Sequence, residues 1–141
     1  MLDVAQRSEA ASRRRRKLED EDGFLHLTSD GTPKTVYVKD LGNGSAGFGD
    51  SEEGPFFPDG MKWNPDRDST DDLFITFVLM EGITGIAKST DAPTIFLSAL
   101  VRDGASQDGC APMASESTTT YSFNVQVGNA LHDPKIVVTP Q

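Results

Sequence analysis

Cysteine occurs once in the 141 residues, at Cys110, so an internal disulfide framework is excluded and the redox compartment stays open. Histidine is nearly as scarce, with only His26 and His132. Apolar residues make up 36% of the chain and occur in runs of only a few, too short to span a bilayer as a helix. Basic residues are outnumbered: thirteen Lys and Arg against twenty-two Asp and Glu leave a net charge of −9. A surface of that sign repels phosphate backbones, so nucleic acid is not expected as a general partner. Met1-Leu2-Asp3-Val4 has no apolar stretch after basic residues. That start predicts no cleavable secretion signal, and a protein that is cytoplasmic or part of a particle assembled in the cytoplasm.

What is present is unevenly divided. Residues 1–22 hold six basic residues (Arg7, Arg13, Arg14, Arg15, Arg16 and Lys17) and six acidic ones, so the remaining chain carries seven basic and sixteen acidic residues and all of the net charge. The first segment reads as a separate charged N-terminal arm, helical or extended. It has no Gly or Pro before Gly23, and Asp3 with Gln6 resembles a capping box. Val4, Ala11 and Leu18 give it a thin apolar stripe, too weak to fold without a docking surface.

From Phe24 the apolar period becomes two. Alternation and β-branched content predict strands at 24–28, 34–40, 73–81, 94–102, 118–127 and 135–139. Ser29-Asp30-Gly31-Thr32 predicts a tight hairpin between the first two. On the fifth, Tyr121, Phe123, Val125 and Val127 share one face, with Phe123 and Phe77 expected in the core. The expected architecture is all-β: an Ig-like or cupredoxin-like antiparallel β-sandwich over residues 23–141. Residues 41–72 read as a long loop with six glycines, three prolines and eight acidic residues, and such a loop is normally functional or hides a further strand.

Several residue sets invite chemistry. Asn64, Asp66, Asp68, Thr70 and Asp72 place oxygen ligands at alternate positions, a pattern suited to calcium. With Asp66 as first ligand, however, Asp71 stands where an EF-hand loop needs Gly and Phe77 where it needs Glu, so a solvated acidic turn is the competing explanation. Cys110, Met113, His26 and His132 are the residue types of a blue-copper site, but no His lies between the Cys and the Met. No nucleophile elbow, zinc-protease motif or phosphate-binding Gly loop is present. Arg13 to Lys17 could attract nucleic acid or an acidic protein surface, yet Glu19-Asp20-Glu21-Asp22 follows at once and screens phosphate. An acidic protein, including another copy, is the better electrostatic match; a solvated mixed-charge segment is the alternative. Phe56, Phe57 and Trp63 could cap the end of the sandwich, plug a partner's groove, or stack on sugar rings.

The last third of the chain, Tyr121 to Val127 followed by His132-Asp133-Pro134-Lys135-Ile136-Val137-Val138-Thr139-Pro140, resembles the bacterial DP-EP family, named for an Asp-Pro and a Glu-Pro near the C-terminus. Leu73 to Leu79 is similar to that family's early core strand. The likeness covers about the last seventy residues, and Thr139-Pro140 stands where the family has Glu-Pro. It implies a small sandwich and no activity. Asp133-Pro134 is explained without a ligand, because Pro fixes φ at a strand start and favours an extended residue before it.

Together these features predict a non-enzymatic structural or assembly subunit, in a bacterial or phage-borne particle, filament or inclusion. It would dock on copies of itself or on a partner protein through Arg13, Arg14, Arg15, Arg16 and Lys17 and through Phe56, Phe57 and Trp63 of the 41–72 segment. No cofactor is expected, calcium being the one candidate. The alternative is a small carbohydrate- or calcium-binding module using the same segment.

Overall fold

The computed structural model describes residues 23–28, 32–65, 72–91, 93–97, 106–111 and 118–140. The expected arm at 1–22 lies outside them. The described chain forms eleven strands: β1 (Phe24–Leu27), β2 (Lys34–Gly42), β3 (Ser45–Gly49), β4 (Gly60–Trp63), β5 (Leu73–Leu79), β6 (Ile83–Lys88), β7 (Phe96–Leu97), β8 (Ser106–Ala111), β9 (Thr119–Val127), β10 (Ala130–His132) and β11 (Lys135–Val138). The first sheet runs β1-β4-β11-β9-β10, with β6 on the other side of β9, and the second runs β3-β2-β5-β8-β7. The fold is all-β and sandwich-like, as the period-two alternation predicts.

Three features correct the expected topology. The sheets are mixed rather than purely antiparallel: β4 runs parallel to β1 and β11, and β2 runs parallel to β5. The hairpin expected around Ser29-Thr32 does not pair its flanking strands, because β1 and β2 belong to different sheets. A strand that crosses to the other sheet can return in the same sense, which is how parallel pairs arise here. Finally, the 41–72 segment is not one loop; it contains the end of β2, all of β3 and all of β4. β2 and β3 form a hairpin over Asn43 and Gly44, which have φ of 56° and 80°, as a primed two-residue turn requires.

Aromatic packing joins the sheets. Phe123 of the first sheet lies edge-on to Phe48 (centroids 5.7 Å apart) and tilted against Phe77 (5.8 Å), both from the second. Leu25, Met61, Ile136 and Tyr121 align across the first sheet by register, and all four are buried.

β10 and β11 pair with β9 in one continuous register on either side of Asp133-Pro134. The Lys135 N–H donates to Asp59 O, on the β4 side. The preceding nitrogen, that of Pro134, therefore points at β9 without a hydrogen to give. The ladder breaks there, and β11 continues as an interior strand between β4 and β9.

A side chain closes the remaining seam. Gln107 of β8 is buried; its Oε1 accepts from the Ile86 N–H (3.0 Å) and its Nε2 donates to the Ile86 carbonyl (2.9 Å). One amide thus acts as a strand partner for β6 across the sandwich. Gln107→Leu leaves both backbone groups buried and unpaired, at about 1–3 kcal/mol each. We expect a loss of about 2–4 kcal/mol in urea unfolding and faster amide exchange at Ile86. A loss below about 0.5 kcal/mol would remove the clamp from the stability account.

Candidate functional site

The three aromatic rings singled out in the sequence separate. Phe57 and Trp63 are each only 4% exposed and belong to the core. Phe57 makes reciprocal backbone bonds with Phe48, both 2.9 Å, which cover the outer edge of β3. Trp63 sits on β4 in register with Leu27 and Val138. Neither ring has a free face for a sugar or a partner, so their expected role as contact residues is corrected: burying a large aromatic in the core outweighs keeping it on the surface.

Phe56 is different. It is half-buried on the outer face of the second sheet, over Gly47 and Gly49 of β3. A Cβ at Gly47 would come within 2.9 Å of the Phe56 Cβ and 2.8 Å of Leu41 Cδ1, and one at Gly49 would meet the Phe56 ring at 3.0 Å. The two glycines therefore form a flat seat for the ring. Lys39 Nζ lies 5.2 Å from its centroid on the same face. Leu41, beside it, is 42% exposed.

Immediately before Phe56 the chain presents Asp50, Glu52 and Glu53, all exposed. The loop is held by two local bonds: Gly54 N–H donates to Ser51 O, and Ser51 Oγ donates to Gly54 O, both at 3.2 Å. None of the three carboxylates has a cationic partner among the described residues. Sequence reading counted these residues only as loop charge. The cue is an acidic run just before Gly-Pro-Phe, but its placement on a turn against the Phe56 ring depends on how residues 48 and 57 pair.

Most of the other expected site residues lie outside the described part of the chain. Arg13, Arg14, Arg15, Arg16 and Lys17 lie outside the described residues, as do Asp66, Asp68 and Thr70 of the calcium set. Asn64 is exposed just after β4, and Asp72 is exposed just before β5. Among the described residues, no group of three or more His, Cys, Asp and Glu side chains is arranged to hold a metal ion.

Cys110 is half-buried on β8, in register with Phe74, which is 54% exposed. Burial pushes its thiol pKa up and the Asp72 charge adds to that, which favours the protonated thiol over the thiolate. Burial, then Asp72 and Cys110, likewise raise Tyr121. His26 lies on the edge strand β1, while His132 on β10 uses Nε2 to donate to Pro58 O at 2.6 Å. The carbonyl can only accept, so that nitrogen carries the proton.

Among the described residues no helix is long and apolar enough to cross a membrane. Compared with known proteins, the chain matches no protein-family model and no curated sequence.

Proposed function

We propose that this protein is a non-enzymatic structural or assembly subunit, built as a sandwich that docks on neighbouring copies through its N-terminal arm and the Phe56 side of the 41–72 segment. The observation that carries this reading is a division of labour. Among the described residues the core draws on Leu25 to Val138 and needs no basic side chain, while the sequence gathers the densest basic run of an acidic chain at Arg13 to Lys17. A basic segment with little apolar surface gains order by lying on an oppositely charged neighbour, and the net charge of −9 on residues 23–141 supplies one. The likeness of β9 to β11 to the DP-EP family accords with a small sandwich and brings no activity with it. A bacterial or phage particle assembled in the cytoplasm is the setting that fits best.

Deleting residues 1–22 tests this. The truncated protein is expected to keep its thermal midpoint within about 2 °C and to lose association, read by size-exclusion chromatography with light scattering. Raising salt on the full chain should act in the same direction, because exposed ion pairs are screened. If the truncated chain unfolds, the arm is part of the core; if it associates as before, the arm is not the docking element.

A further inference from the structure

Among the described residues, the surface formed by Leu41 of β2, Phe56 and the turn that follows β3 combines an exposed apolar spot with carboxylates. Leu41 and Phe56 flank Gly47 in the middle of β3, Gly54 of the turn lies against the Phe56 ring, and Asp50, Glu52 and Glu53 of that turn have no cationic partner among the described residues. Phe56 is held on its glycine seat and the turn is braced by the Ser51–Gly54 bonds, so this surface is presented in one shape. We propose that it receives residues 13–18 from the arm of a second copy, with Arg13 to Lys17 against the three carboxylates and Leu18 against Leu41 and Phe56. This deepens the assembly reading and rests on it.

Two arguments favour this occupant. The first is charge complementarity in sequence order: the arm has a basic run followed directly by an apolar residue, Leu18, and the turn has an acidic run followed closely by Phe56. Arginine suits such a site, since its planar head pairs with carboxylates and its stem covers apolar surface. The second is where the arm begins. Gly23 is anchored at the start of edge strand β1, with its carbonyl accepting from Asp59 N–H. β1 packs against β3, the edge strand of the second sheet that carries the turn. Gly23, where the arm joins the sandwich, thus lies on the side that bears the turn, and six residues, the separation of Lys17 from Gly23, span about 20 Å when extended. Copies that meet along this side can exchange arms.

A charge-swap pair on the full chain decides the matter. One variant carries Asp50→Lys, Glu52→Lys and Glu53→Lys; the other carries Glu in place of each residue from Arg13 to Lys17. Each alone is expected to associate about tenfold more weakly than the parent at low salt, and an equal mixture is expected to recover association. Circular dichroism melts verify that both fold, and Asp108→Lys, on the exposed face of β8 and separated from β3 by β2 and β5, serves as a variant expected to associate normally. If the arm contacts the turn of its own chain, each variant still weakens but mixing rescues nothing, and the exchange is overturned. If arm deletion abolishes association while the triple-lysine variant associates normally, the assembly reading stands and this receptor is wrong. If the parent protein is monomeric under all conditions, both fall.

Discussion

Phe123→Ala is expected to lower the unfolding free energy by about 3–5 kcal/mol, and the thermal midpoint by about 10 °C or more. The side chain is fully buried, and its ring is the element of the first sheet that meets Phe48 and Phe77 of the second. Truncation removes the apolar transfer energy of the ring and two ring–ring contacts. It also opens a void between two sheets whose backbones are each held by hydrogen-bonded ladders, so the site cannot collapse cheaply. With total stability of about 5–15 kcal/mol for a native protein, that loss is a large part of the whole. Phe123→Leu keeps most of the volume and should cost about half as much or less. Urea unfolding at constant m-value is the measurement. A loss under about 1 kcal/mol for the alanine variant would place Phe123 outside the interface between the sheets.

Gly60→Ala should be comparably severe for a different reason. Gly60 opens β4, in register with Phe24 on one side and Lys135 on the other, at φ 121°. An added Cβ would overlap the Lys135 carbonyl oxygen and lie 2.8 Å from its carbonyl carbon and amide nitrogen. The obstacle is backbone within a ladder, so relief requires β4 and β11 to separate at the point where Lys135 N–H reaches Asp59 O. The positive φ alone costs about 1–3 kcal/mol, and the overlap should raise the total to about 3 kcal/mol or more. Gly85→Ala is the control: nothing lies within 4 Å of its added Cβ, and the change should stay within about 1 kcal/mol. If the two substitutions cost the same, the close approach of β4 to β11 is wrong.

The strands that were legible in the sequence are those long enough to show alternation. β2, β5 and β9 each run seven or more residues; the inward face is buried at every second position along β5 and from Tyr121 to Val127 of β9, and at Val36 and Val38 of β2, while β11 carries the compact apolar run Ile136-Val137-Val138. β3 and β4 were not legible, because Ser45-Ala46-Gly47-Phe48-Gly49 and Gly60-Met61-Lys62-Trp63 are short and rich in glycine. Glycine there is required for close contact with Phe56 and Lys135, so the feature that suggests a loop is what makes the strand possible. Asn43-Gly44 did mark the β2–β3 turn and could have divided the segment.

The candidate site divides in the same way. Composition alone locates the basic run at Arg13 to Lys17, the excess acid in the rest of the chain and the absence of a catalytic motif, because these are properties of residue type and order. Which aromatic stays at the surface is a property of sheet pairing. Phe56 and Phe57 are adjacent, and along an extended chain adjacent side chains point to opposite faces, so the bridge between Phe57 and Phe48 sends Phe57 into the core and leaves Phe56 outside. Local sequence determines alternation and charge; which neighbour a strand meets, and hence which of two adjacent rings is buried, is decided only when distant segments such as residues 48 and 57, or 60 and 135, pair in space.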